Sequence, residues 1–136
     1  MDYKYVPFHV EVENLKHVIT SAKTLNIKGL NVTIPHKTTI IPYLDEIDET
    51  AEKIGAVNTI NFKDGIAKGY NTDGIGAIVS IEKYTSLKDK NIMIIGAGGA
   101  SKAITFTLLN KNINQLFLTT CSKKKNYQLT IECQKK

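Results

Sequence analysis

Arginine is missing from this sequence: all 18 basic residues among its 136 are lysines. Against 13 acidic residues they leave a formal net charge of +5. The lysines are scattered, apart from Lys123-Lys124-Lys125 and the last two residues, and no aromatic platform accompanies them. A nucleic-acid face needs a concentrated basic patch with stacking surfaces, so none is expected. Cysteine is scarce as well. Cys121 and Cys133 lack metal-ligand spacing and read as free thiols in a reducing compartment, which excludes a disulfide scaffold and offers no metal site. No apolar run approaches the roughly 18–20 residues that cross a bilayer, and no signal-peptide core follows Met1-Asp2-Tyr3-Lys4. The expectation is a cytoplasmic protein without membrane contact. Hydrophobic residues make up 42% and charged residues 23%, the balance of a globular protein rather than of a disordered or collagen-like chain. The length suits one ordinary domain or two small ones.

Strands and helices are expected in alternation. Tyr3 to Val10 carries β-branched and aromatic residues around a proline and reads as an edge or bent strand. Leu15, Val18, Ile19, Ala22 and Leu25 recur at helical spacing, with Gly29 as a stop. Leu30 to Ile34 reads as a strand, Pro35 to about Pro42 as a helix, and Asp45 to Ile54 as another helix closed by Gly55. Two strands follow, Ala56 to Phe62 and Ile66 to Tyr70, joined by Lys63-Asp64-Gly65 with its Asp-Gly hairpin signal. Thr72 or Asp73 can cap a helix carrying Ile75, Ile78, Val79 and Ile81. Ser86 to Lys90 is a polar break and the expected domain boundary. Beyond it come a strand over 91–95, a helix from about Gly98 to Asn110 and a strand over 116–120. The order argues for an α/β class with parallel sheet.

The run Ile92-Met93-Ile94-Ile95-Gly96-Ala97-Gly98-Gly99-Ala100-Ser101 is an apolar strand entering a glycine turn and then a helix. In that context glycines can serve a dinucleotide. Gly96 allows the tight turn, Gly98 lets the backbone approach a pyrophosphate, and Ser101 is small enough for close helix–strand packing. The helix N-terminus offers free N–H donors to phosphates. A structural turn is the plainer alternative. The second strand of such a unit selects the cofactor, an acidic residue at its end binding the ribose of NAD. Here the strand ends Leu118-Thr119-Thr120-Cys121-Ser122 ahead of three lysines. Hydroxyls at Thr120 and Ser122 and ammonium groups beyond them favour a 2′-phosphate, hence NADP, against the alternative of a solvated lysine loop.

Three further segments place polar residues at strand ends, where α/β proteins put their sites. They are Asn31-Val32-Thr33-Ile34-Pro35-His36-Lys37, Gly55-Ala56-Val57-Asn58-Thr59-Ile60 and Gly69-Tyr70-Asn71-Thr72-Asp73-Gly74. A lysine beside an aspartate can pass a proton to a developing alkoxide while the carboxylate holds it, which singles out Lys37 and Asp73. Asn58 and Thr33 can hydrogen-bond hydroxyls of a small polar ligand. From chemistry alone, Lys37 also reads as an ordinary surface lysine and Asp73 as a helix cap. His36 reads as a partly buried polar residue.

These segments, with Gly96-Ala97-Gly98-Gly99-Ala100-Ser101, stand in the order and spacing of a known family. Together they resemble shikimate dehydrogenase, which reduces 3-dehydroshikimate to shikimate with NADPH on the way to chorismate and the aromatic amino acids. The resemblance runs from about Tyr3 to Thr120. It implies that Lys37 is the catalytic lysine and Asp73 its partner, which also contacts substrate hydroxyls. It implies that Thr33 and Asn58 bind substrate. Gly96, Ala97, Gly98, Gly99, Ala100 and Ser101 then form the phosphate-binding loop. The implied architecture is a shikimate-binding α/β domain over residues 1–86, followed over 87–136 by the start of a Rossmann-like NADP domain.

The family usually has Asn-Arg-Thr or Asn-Arg-Ser where Thr120, Cys121 and Ser122 stand here, so NADP selectivity is expected to be weaker than in relatives with the arginine. The resemblance further implies that the family's first strand, with its serine loop, precedes Met1. It implies too that the chain stops after the second Rossmann strand, leaving about half of the enzyme. The tail from Cys121 departs from the family's pattern. Two other readings stand beside the main one: a non-catalytic remnant of such an enzyme, and a quinate/shikimate dehydrogenase. Expected partners are shikimate or 3-dehydroshikimate and a second copy in a homodimer.

Overall fold

Leu15, Ile19 and Ala22 lie one or two turns apart and form the buried face of α1 (Leu15–Thr24). That stripe packs against the sheet, and the pattern repeats through a computed structural model that describes residues 2–119. The architecture is α/β. After α1 come β1 (Gly29–Asn31), β2 (Glu46–Ile47), α2 (Glu49–Ile54), β3 (Thr59–Lys63), β4 (Ile66–Tyr70), α3 (Asp73–Glu82), β5 (Asn91–Ile95), α4 (Gly99–Leu108) and β6 (Gln115–Thr119). Among the described residues no helix is long and apolar enough to cross a membrane.

Two sheets carry these elements. The first has the order β1-β3-β4-β2 and the second is the pair β5-β6. β5 and β6 run parallel, as expected of a Rossmann-type start, and β2 runs parallel to β4. The β1–β3 and β3–β4 pairings are antiparallel, so the first sheet is mixed rather than parallel. The cause is local. Asp64 and Gly65 both take positive φ, 52° and 78°, the two-residue turn whose twist matches a hairpin, and β4 therefore folds straight back on β3.

The strand expected over Leu30 to Ile34 is the shorter β1, and three other elements differ more from the sequence-based expectation. Tyr3 to Val10 forms no strand: it runs beside β1 without a ladder, and Tyr5 is 81% exposed. A strand exists only as the partner of another, and β1 pairs on one side alone, with β3. A cleft of about 650 Å³ separates this segment from β1 and residues 32–36. Across it the His36 Nε2–H donates to the Val10 carbonyl (2.8 Å).

The expected helix from Pro35 to Pro42 is a series of turns ending in a 3₁₀ turn at Ile41–Tyr43. Thr38, Thr39, Ile40 and Ile41 are β-branched in succession, which crowds a helical turn. The expected helix from Asp45 instead begins at Glu49. Asp45 accepts the Ala67 N–H (2.6 Å) and returns its own N–H to the Ala67 carbonyl (3.1 Å), which draws Glu46 and Ile47 into the sheet. Asp48 then caps α2 through the Thr50 N–H (3.0 Å).

Buried residues fall into three groups. Leu15, Ile19, Ile40, Ala51, Val57, Ile60 and Ala67 pack between α1 and the mixed sheet. Ile54, Ala56, Ala103 and Phe106 join α2 to α4. Ile78, Leu87 and Leu108 join α3 to α4, with Ile92, Ile94 and Leu116 of the parallel pair packed against them. Helices α3 and α4 cross closely at Gly74, where a Cβ would collide with Thr107 Oγ1 and the Ala103 carbonyl.

Candidate active site

The end of β4 turns into α3 through Tyr70, Asn71 and Thr72, which sets Asp73 as the first residue of that helix. A carboxylate in this place is favoured by the helix dipole. Beside it runs the segment Ala56-Val57-Asn58 leading into β3. The two connections are laced together: the Asn58 N–H donates to the Tyr70 carbonyl (3.0 Å) and the Asn71 amide donates to the Ala56 carbonyl (2.9 Å). The same segment reaches the third motif, because the Val57 N–H donates to the carbonyl of Lys37 (2.8 Å).

Across this frame Lys37 Nζ donates to Asp73 Oδ2 at 2.7 Å, a contact between residues 36 apart in the chain. About a quarter of each side chain is exposed, 27% for Lys37 and 28% for Asp73, so the pair is sheltered yet open to a small ligand. The other carboxylate oxygen, Oδ1, accepts from Asn58 Nδ2 at 2.7 Å. Asn58 uses the rest of its amide on the chain as well. Nδ2 also donates to Thr72 Oγ1 (3.0 Å), and Oδ1 accepts the Thr72 N–H (3.0 Å) and the Thr59 hydroxyl (2.9 Å). A ligand hydroxyl can meet Asn58 by displacing Thr72 Oγ1, the longer of the two Nδ2 contacts.

The structure thus brings together Lys37, Asp73 and Asn58. Thr33 stands apart from that network. It lies exposed on the loop entering Lys37, lines the cleft beside β1, and uses its carbonyl to accept the His36 N–H (2.8 Å). Thr72, a candidate cap, makes no side-chain cap bond. The first helical N–H groups go instead to two asparagines: Thr72 N–H to Asn58 and Asp73 N–H to Asn71 Oδ1 (3.1 Å). Asn71 is a participant to which sequence pattern alone assigns no role, and Thr72 takes part through its N–H and hydroxyl to Asn58 rather than as a cap. An asparagine two residues before a helix start is the signal for Asn71, since its side chain can accept from the backbone two residues on.

The glycine run forms the second half of the candidate site. Gly96 takes φ +119°, a conformation other residues rarely adopt, and its N–H donates to the carbonyl of Thr119 (2.7 Å). Ser101 is buried, and its hydroxyl donates to the Gly96 carbonyl (2.7 Å), closing the loop. Gly98, the N-cap of α4, contributes no side chain, and Gly98, Gly99 and Ala100 are exposed, with Ala97 half-buried beside them. No acidic residue stands in the first turn of α4. The uncapped N–H groups and positive end of this helix therefore face outward, the arrangement that takes phosphate groups. Thr120 and Ser122, expected near the 2′-phosphate, lie outside the described residues, as do the lysines at 123–125.

Residues 1–60 match a family described as the shikimate dehydrogenase substrate binding domain. A protein named shikimate dehydrogenase (NADP(+)) from Methanosphaera stadtmanae is 96% identical over 123 residues, 90% of this chain and 44% of that relative. Among solved structures, a shikimate dehydrogenase in complex with NADP+ superimposes with a TM-score of 0.88 at 52% identity, covering 94% of this chain and 44% of its own. A shikimate 5-dehydrogenase from Listeria monocytogenes, in complex with shikimate and NAD, gives a TM-score of 0.87 at 30% identity, covering 95% and 46%. The chain therefore spans less than half the length of the relatives it matches.

Proposed function

We propose that the chain, similar over its matched length to shikimate dehydrogenases, carries the substrate-binding and proton-transfer part of an NADP-dependent oxidoreductase that interconverts 3-dehydroshikimate and shikimate. The observation that carries this reading is the 2.7 Å Lys37–Asp73 contact held open to solvent. An ammonium group fixed by a carboxylate can deliver a proton to a carbonyl oxygen as it becomes an alcohol, and take it back in the reverse direction. Asp73 keeps Lys37 in place and presents its carboxylate to ring hydroxyls. Asn58 and Thr33 add hydrogen bonds to the same ligand.

Residues 1–86 form the substrate domain in this reading, and 87–136 begin the nucleotide domain. Gly96 to Ser101 hold the pyrophosphate at the N-terminus of α4, and the exposed glycines with the uncapped helix fit such a group. NADP, when bound there, supplies or accepts the hydride. The missing carboxylate after Leu118 supports NADP over NAD. The place of such an enzyme is the cytoplasm, in aromatic amino-acid biosynthesis.

The test is NADP-dependent oxidation of shikimate, measured on this chain and on a chimera that completes it with the remaining sequence of the Methanosphaera stadtmanae relative. In the chimera, Lys37→Ala lowers turnover by about 10²–10⁴-fold, the usual loss for a positioned acid or base, with little change in KM. Asp73→Asn lowers turnover and weakens substrate binding together. Near-normal turnover in Lys37→Ala overturns the assignment.

A further inference from the structure

We infer that Asn71 is a positioning residue that sets Asp73, and through it the Lys37–Asp73 pair. The inference deepens the reading of that pair as the proton-transfer site and rests on it. Asn71 is 5% exposed, too deep to meet a ligand at the mouth of the site. Its amide carries no charge and does no proton chemistry at neutral pH. What it does is bridge. Nδ2 donates to the Ala56 carbonyl at 2.9 Å, and Oδ1 accepts the Asp73 N–H at 3.1 Å.

The second contact is unusual for a helix start. An N-cap side chain ordinarily accepts an N–H two or three residues into the helix and so fixes the first turn. Thr72 occupies that position here and makes no such bond. The side chain one residue earlier binds the N–H of Asp73 itself. The backbone of the carboxylate-bearing residue is thereby pinned, rather than the turn after it. Ala56, at the other end of the bridge, precedes Val57, whose N–H holds the Lys37 carbonyl. A closed circuit results: Lys37 to Val57 through the backbone, Ala56 to Asn71 to Asp73 through one buried amide, and Asp73 back to Lys37 through the ion pair. Asn58 holds the Asp73 carboxylate from the side, while Asn71 ties the Asp73 backbone N–H to the Ala56–Asn58 segment. Without the Asn71 amide, the Ala56 carbonyl loses its partner in a buried place and the Asp73 N–H loses its own in a half-buried one, and the turn is free to rotate toward other acceptors.

The experiment uses this chain with its lysines reductively methylated with ¹³C, read by NMR without any ligand. Lys37→Arg assigns the Lys37 signal, and Asp73→Asn marks where that signal falls when the pair is broken. In Asn71→Leu, close in size but without polar atoms, the Lys37 signal is expected to move most of the way to the Asp73→Asn position while thermal unfolding stays cooperative. In Asn71→Ser, which keeps an acceptor near Asp73 N–H but removes the amide donor, the shift is intermediate. A Lys37 signal that stays at its original position in a folded Asn71→Leu protein overturns the inference, because a purely structural residue would lower stability and leave the pair intact. Loss of cooperative unfolding in both variants also overturns it, assigning Asn71 to the fold as a whole. No substrate enters this measurement, so a failed shikimate assay would sink the proposed function and leave this result standing.

Discussion

The mixed sheet and the parallel pair carry side chains of the same kinds to different fates. In β3 of the mixed sheet, Ile60 is 1% exposed beneath α1. In β5 of the parallel pair, Ile95 is 78% exposed, with Met93 and Phe117 beside it on the same outward face. Parallel strands ordinarily need cover on both faces, and among the described residues β5–β6 has it on the face toward α3 and α4 alone. The consequence for function is an asymmetry. Lys37, Asp73, Asn58 and Asn71 are held by a network that closes on itself within the first region. The glycine loop is carried by a half-covered sheet, and its placement depends on α4 packing against α2 and α3.

The comparison breaks most sharply with one substitution made twice. Ile60→Ala should cost about 2–5 kcal/mol, the range for an aliphatic side chain lost from a packed core. Ile95→Ala should cost under about 1 kcal/mol, since it removes mainly strand preference. Equilibrium denaturation of the two variants gives both numbers. Equal losses would mean that the outer face of β5–β6 is covered in solution.

Gly74→Ala probes the seam between the regions. Its Cβ meets the Ala103 carbonyl and Thr107 Oγ1, so α3 must lift from α4, at about 1–3 kcal/mol. The urea midpoint should fall accordingly. A variant as stable as the parent would show that α3 and α4 slide without cost.

The smallest effect belongs to Asp45, at the far edge of the mixed sheet. The hydrogen bond from Lys23 (2.6 Å), then the Ala67 N–H, holds its carboxyl below the ordinary carboxylate value. A lowered folded-state value stabilises the fold above the unfolded carboxyl value, near 4, and the contribution fades as pH falls through the folded value. Asp45→Asn should therefore cost less than about 1 kcal/mol at pH 7, as an exposed pair does, with the gap closing in acid below about pH 4. A gap that stays constant from pH 7 to pH 2 would contradict this.

Much of the molecule was legible before any coordinates. The Asp64-Gly65 turn, the Gly55 helix stop, α4 behind its glycines and the outlines of β3 to β6 follow from residues a few positions apart, because backbone preference and side-chain period act over that range. The glycine pattern of 96–101 is local as well, and Lys37 and Asp73 each stand out in a short polar segment of their own. Distance along the chain marks where this legibility ended. No local rule joins Lys37 to Asp73, which meet only because the Ala56–Asn58 segment binds both connections. Asn71 belongs to the polar segment 69–74, but its role depends on the Ala56 carbonyl, 15 residues earlier, standing opposite its amide. Tyr3 to Val10 has the β-branched and aromatic residues of a strand around its proline and forms none, since a cleft of about 650 Å³ separates it from the free edge of β1. Local pattern set which elements could form and which side chains could do chemistry. Packing settled which of them met, because contacts between distant segments arise from burial and hydrogen-bond closure across the whole fold.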